Sequence, residues 1–263
     1  HCKKLKTFKM KKILLLAIAI VASISVNSQT AEEIIANYFE NTGGIENWAK
    51  IEGIKMSAKV NQGGMEIPLE ITQLKNGNQM TVINFQGIEI KQGVFDGEVL
   101  WSTNFQTQKA EKSDQESTDN MKLEAQDFPD AFYNYKEKGY TLELLGKEDL
   151  EGTETFKIKL TKKPMTVDGK EVENSSIYFF DAENFVPIVV HSEIRMGPGK
   201  GMVSEIKFSD YQEVDGLYFP FSMTQGVKDG GGQPITMDKI ELNPTVDPSA
   251  FKFPEEITDG ENK

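Results

Sequence analysis

Nucleophilic catalysis needs an activated side chain and a base beside it. Beyond residue 28 this sequence has no cysteine, a single histidine, His191, and no G-x-S-x-G turn. His191 stands in "VVHSEIRM". Val190, Ser192, Ile194 and Met196 share one strand parity, and His191, Glu193 and Arg195 the other. With the apolar set inward, those three form a solvent-facing charge ladder. One histidine without cysteine excludes the common zinc patterns. The acidic stretch "SDQESTDN" lacks the glycine and spacing of a calcium loop. "GPGKG" joins two strands instead of opening a helix, so it reads as a hairpin loop and not a phosphate cradle. A glycosidase-like carboxylate pair stays open as a rival among 41 acids, none of which is singled out. The expectation is a protein that is not an enzyme, with no metal and no cofactor.

What remains is apolar surface. In "YQEVDGLYFPFSM", residues 211–223, Leu217, Phe219, Phe221 and Met223 share one parity and form a large, soft face. Pro220 cannot donate to a ladder, so the strand is an edge or bulged there. Methionines recur on other strands, at Met56, Met65, Met80, Met202 and Met237. Methionine suits surfaces that adapt to varied apolar partners, although any single one can equally be core filling.

The elements that would carry these residues are mostly strands. "TAEEIIANYFENTGG" is predicted as a helix, with Thr30 and Glu33 at capping-box spacing and Ile34, Ile35, Tyr38 and Phe39 as its apolar stripe. Gly43-Gly44 ends it, and "IENWAK" can add a turn. The period then switches to two. Ile54, Met56, Ala58 and Val60 alternate, then Met65, Ile67, Leu69 and Ile71, with "NGN" as the next turn. Met80 and Val82 lead through Phe85 to Ile88 and Ile90. Val99, Trp101, Thr103 and Phe105 are expected to line one face of a further strand. Residues 111–139 break the pattern and read as a polar loop followed by one or two short helices interrupted near Pro129. Phe128, Phe132, Tyr133 and Tyr135 would face inward there. Strands resume to the C-terminus, joined by "VDGK", "DAEN", "GPGKG", "VDG" and "DGGG". The sum is about eleven strands in a mainly β single domain.

Composition bounds the rest. Lys11-Lys12, the apolar run Ile13 to Val26 and the small residues before Gln29 make a cleaved signal peptide over residues 1–28, with Met10 as the expected start. Six of the 29 basic residues and none of the 41 acids precede Gln29, leaving 23 basic against 41 acidic residues and a net charge of −18. That balance argues against nucleic acid and anionic membrane surfaces. Without a cysteine after the apolar run, no lipid anchor is expected. Residues 29–263 suffice for one large domain.

Several segments resemble the periplasmic lipoprotein-sorting carriers of the LolA/LolB-like superfamily: "GVFDGEVLWSTNFQTQKAEK", "IYFFDAENFVPIVVHSEI", "EIKFSDYQEVDGLYFPFSM" and "ELNPTVDPSAFKFPEE". The resemblance implies an open antiparallel barrel, a clamp closed over by helices, whose cavity takes lipid or lipoprotein acyl chains. It implies a periplasmic location and membrane-bound donor or acceptor proteins as further partners. Trp101 and Phe105, Phe180, and Phe219 to Met223 fall on its aromatic positions. With the strand and flap residues above, the expected apolar ligand site comprises Met56, Leu69, Met80, Val82, Phe85, Trp101, Phe105, Phe128, Phe132, Phe180, Phe219, Phe221 and Met223. The carriers hold their lid with an arginine near the N-terminal strands, whereas Arg195 is the only arginine here. The alternative function is a protein-binding sensor or envelope-assembly module of the same fold, with residues 111–127 as a partner-contact loop.

Overall fold

The computed structural model describes residues 29–254; the expected signal peptide and residues 255–263 lie outside the described residues. Helix α1 (Ala31–Asn41) buries Ile34, Ile35, Tyr38 and Phe39 on one stripe. A four-residue helix, α2 (Ile45–Trp48), follows and buries Trp48. Gly43 separates them at φ 113°, where a Cβ would collide with the Gly216 carbonyl oxygen. Glycine is therefore required by backbone conformation and by contact.

The strands are β1 (Gly53–Gln62), β2 (Met65–Leu74), β3 (Gln79–Phe85), β4 (Ile88–Phe95), β5 (Leu100–Thr103), β6 (Ala110–Lys112), β7 (Thr141–Leu150), β8 (Thr153–Thr161), β9 (Met165–Val167), β10 (Lys170–Val172), β11 (Ser175–Asp181), β12 (Pro187–Glu193), β13 (Val203–Val214), β14 (Leu217–Val227) and β15 (Gly232–Leu242). There are thus fifteen strands among the described residues, not about eleven. Thirteen form one antiparallel sheet in the order β6-β5-β4-β3-β2-β1-β15-β14-β13-β12-β11-β8-β7, and β9 and β10 pair separately. As expected, the sheet is not closed: β6 and β7 end it as edges. The "VDGK" connection is itself the tip of the β9–β10 hairpin.

The polar stretch expected as a loop is more ordered than its composition suggests. It supplies β6 and a ten-residue helix, α3 (Gln115–Glu124), whose N-cap Asp114 accepts from the Ser117 amide. A single 3-10 turn, Ala125–Asp127, leads into the cis Phe128–Pro129 bond and a flap through residue 140. The Asn120 side chain bonds Thr166 N and O, and Glu116 accepts from the amides of Asp168 and Gly169. Helix α3 is thereby fastened to the β9–β10 hairpin.

Cross-strand partners share a face, and the register therefore sorts every side chain. Leu69 pairs with Ala58 and Ile83, and Ile71 with Met56 and Thr81. These residues form the inner face with Ile235, Met237 and Ile240 of β15. Under α1 and the flap the same face is packed solid. Tyr38, Phe132 and Phe180 meet edge to face at centroid distances of 5.4 to 6.4 Å, with Tyr178 on Phe132 at 4.7 Å. Aromatic pairs in that geometry add about 0.5–1.5 kcal/mol each beyond the area they bury.

The outer face at the β1–β5 end has a second core. Val94, Trp101 and Phe251 are buried there with Leu74, Met80 and Phe253 around them, and the Trp101 indole N–H donates to the Phe251 carbonyl at 2.9 Å. The C-terminal segment is what covers this face.

Candidate functional site

The register splits the thirteen expected ligand residues. Met56, Leu69 and Phe85 lie on the inner face of β1–β3, half-buried. Phe221 and Met223 continue that face on β14. Phe132, Phe180 and Phe219 belong to the sealed core beneath α1, α2 and the flap. Met80 and Val82 do not share the face of Leu69. Met80 pairs with Thr72 and Val82 with Glu70, so both point outward, and Met80 joins Trp101 in the second core. The physical reason is the turn between β2 and β3. It pairs Gln73 with Gln79, so the inner row of β3 is Gln79, Thr81, Ile83 and Phe85. Phe105 is also misplaced by sequence: β5 ends at Thr103, and Phe105 sits on the following turn, 62% exposed.

His191 is not on an open ladder. It is half-buried, its Nε2 lies 2.8 Å from Glu205 Oε2, and its ring meets Phe179 edge-on at 5.0 Å. Lys157 lies over the Phe179 ring, 5.4 Å from its centroid, and also pairs with Glu148 at 2.9 Å. Neighbouring charges are paired too, Lys159 with Glu173 and Arg195 with Glu193.

The inner face has two regimes. Under α1 and the flap, Phe180 and Ile158 are fully buried. Across β1–β4, Met56, Val60, Ile67, Leu69, Ile71, Ile83 and Phe85 are only half-buried, and Ile88 is 39% exposed. A partly exposed apolar row of this kind is a candidate binding surface.

At one end this row meets a polar cavity of about 190 Å³. Its walls are the β2–β3 turn, with Gln73, Asn78 and Gln79, and the junction of α3 and the flap, with Glu124, Asp127, Phe128 and Asp130. Behind the wall the flap is tied by buried polar bonds. Asp130 accepts from Tyr38 Oη at 3.1 Å and from the Phe132 amide at 2.7 Å. Asp127 accepts from Tyr140 Oη at 2.8 Å and pairs with Lys162 Nζ at 2.7 Å. Lys138 Nζ donates to the Asp130 carbonyl at 3.2 Å. Burial pushes the Asp130 carboxyl and the Tyr38 phenol up, and pushes the Lys138 ammonium down. Glu124, which also lines the cavity, is exposed.

Sequence reasoning missed Ile83, Asn78, Glu124 and the Tyr38–Asp130 pair. "NGN" read only as a turn. The signal available was the turn length, which fixes the parity of β3. Among the described residues no three His, Cys, Asp or Glu side chains are grouped to hold a metal, and no helix is long and apolar enough to cross a membrane.

No family model matches the chain, and no curated protein matches it. Solved structures do. A DUF1329 family protein from Desulfovibrio piger is similar at a TM-score of 0.51 and 14% identity, over 83% of this chain and 97% of that one. A LolA superfamily protein from Nitrosomonas europaea is similar at a TM-score of 0.51 and 13% identity, over 86% and 98%. At such identities the likeness concerns the fold alone, a large antiparallel sheet that is not closed.

Proposed function

We propose that this chain, which has the LolA-like fold, is an exported, periplasmic carrier that binds lipid or lipoprotein acyl chains without covalent chemistry. One observation carries the reading: the inner face of β1–β4 is apolar, and Met56, Leu69, Ile71, Ile83 and Phe85 on it are only partly buried among the described residues. The sheet end beneath α1 needs no ligand, because its own aromatics fill it. The open end supplies a surface whose burial by alkyl chain is worth about 0.8 kcal/mol per methylene. Membrane-bound proteins of the envelope that donate or accept the acyl cargo are the expected partners.

Native mass spectrometry of the protein, purified from the periplasm without detergent, tests this. A co-purifying mass identified as phospholipid, fatty acid or lipopeptide is the expected result. A clean unliganded mass, with no uptake of added fatty acid or lipopeptide, would overturn it and turn attention to a protein partner.

A further inference from the structure

The inner-face rows meet the polar cavity at one end and run out into solvent at the other. On β2 the row passes from Gln73 through Leu69 to Met65, and on β3 and β4 from Ile83 through Phe85 to Ile88. Its last members, Met65 and Ile88, are 49% and 39% exposed. Each stands at a hairpin tip: Met65 pairs with Gln62 across the β1–β2 turn, and Ile88 with Phe85 across the β3–β4 turn. The β5–β6 loop lies at the same end, because β5 pairs with β4 through Trp101 and Val94, and the Gln92 side chain reaches the Thr103 carbonyl. That loop carries Phe105, 62% exposed.

These three tips stand apart from the rest of the chain in charge. Their segments, "NQGGM" at 61–65, "FQGI" at 85–88 and "NFQTQ" at 104–108, hold no charged side chain, although 27% of the residues are charged. The other end of the same strands turns on "KNGN" and "DGEV", which bring Lys75, Asp96 and Glu98. The acids beside the tips, Glu66 and Glu89, pair with Asn61 and Asn84 and so take the outer face. Turn amides are met within the tips. Asn61 Oδ1 accepts from the Gly64 amide at 3.2 Å, and Asn104 Oδ1 from the amides of Gln106 and Thr107 at 2.8 and 3.1 Å. Groups already hydrogen-bonded cost less to take out of water than bare ones.

We infer that the tips of the β1–β2, β3–β4 and β5–β6 hairpins dock on an uncharged lipid surface, with Met65, Ile88 and Phe105 inserted among the headgroups. The spacing favours lipid over a protein partner. Neighbouring hairpins lie two strands apart, about 10 Å, so the three side chains are separate pegs spread over about 20 Å. A protein would have to match each peg with its own pocket, whereas fluid lipid admits them singly. Insertion needs no charge on the tips, and a strongly acidic chain gains nothing from an anionic surface. Docking there also sets the bilayer against the exposed end of the apolar row. The contact goes beyond the carrier reading, since it needs the tips alone.

The test is flotation of the protein, purified from the periplasm, with phosphatidylcholine vesicles, alone and with added phosphatidylglycerol. The parent should float with phosphatidylcholine, no better with phosphatidylglycerol, and high salt should not release it. Phe105→Asp and Ile88→Asp should each lower the partition coefficient at least ten-fold. Leu145→Asp, at a comparably exposed residue of β7, should leave it unchanged. A cooperative urea transition certifies the fold of each variant. A parent that stays off phosphatidylcholine, or floats only with phosphatidylglycerol at low salt, overturns the docking. Undiminished flotation of both tip variants overturns it too. A parent that avoids lipid and sediments as a dimer that Phe105→Asp dissociates would make the tips a contact between copies, and overturns the lipid assignment. Calorimetric titration with dodecanol tests the carrier reading separately. Flotation without dodecanol uptake upholds the docking and overturns the carrier; dodecanol uptake without flotation does the reverse.

Discussion

Replacing Leu69 by Asp separates the open half of the inner face from the sealed half. Leu69 is half-buried, between Ala58 and Ile83 on the same face. Full burial of a leucine side chain is worth about 1.5–3 kcal/mol, so the folded protein should lose only about 1 kcal/mol of packing, plus up to about 1 kcal/mol for aspartate in a strand. An alkyl chain crossing this residue leaves about three methylenes on a charge. At about 0.8 kcal/mol each, that is about 2.4 kcal/mol, or about fifty-fold in Kd. Phe180→Ala should do the reverse. Phe180 is fully buried under Tyr38 and Phe132, and its truncation should cost about 3–5 kcal/mol of stability with little change in the affinity of the folded fraction. Urea denaturation and calorimetric titration with dodecanol measure both quantities. If Leu69→Asp binds dodecanol like the parent while folded Phe180→Ala binds none, the chain runs beneath the flap and the assignment to the open half is wrong.

Phe132→Ala should lower stability by about 3–5 kcal/mol and raise amide exchange in residues 128–140 first, because Phe132 anchors the flap to Tyr178 and Phe180. The raised Asp130 carboxyl means that the folded state holds this proton more tightly than the unfolded chain. Stability from this group therefore falls as pH climbs from the ordinary carboxylate range through the raised value. Asp130→Asn keeps one acceptor oxygen for the Phe132 amide, loses the acceptor for Tyr38 and removes the titration, so the fall of the urea midpoint across that window should disappear in the variant. Trp101→Phe should cost about 0.5–1.5 kcal/mol through the lost bond to the Phe251 carbonyl, and leave dodecanol affinity unchanged, because Trp101 lies on the outer face.

Strand existence was legible because alternation survives wherever one face is buried, as in β1, β2 and β14. Helix α1 was legible from its stripe, and the Pro220 irregularity from the missing donor. Asp210, at φ 54°, lies opposite this stretch, and pairing of β14 with β15 begins only at Ser222. Faces were less legible. A period of two assigns parity within a strand but not between strands, and one residue of turn length inverts a whole row. That inversion put Met80 and Val82 on the wrong side, and Trp101 followed because both faces of β3–β5 are apolar. The second core answers to the distant Phe251, which no local pattern announces. Helix α3 was hidden because its sequence is polar all round, and its support comes from Asp114 and from side-chain bonds to the β9–β10 hairpin.

On the proposed carrier reading, energetics decide which half of the inner face would meet an alkyl chain first. Reaching the sealed half requires lifting the flap. That withdraws Phe132 from its aromatic contacts, at about 3–5 kcal/mol by analogy with truncation, and breaks the Tyr38–Asp130 hydrogen bond, at about 0.5–1.5 kcal/mol more. An alkyl chain would need about five to eight buried methylenes merely to offset that opening. The β1–β4 surface needs no such step, because Leu69, Ile71, Ile83 and Phe85 are already partly exposed. A flap held by buried phenol–carboxyl and aromatic contacts is a costlier lid than one held by a single surface ion pair, which contributes about 0–1 kcal/mol. The open row should therefore fill first, with the flap opening only for ligands long enough to continue past it.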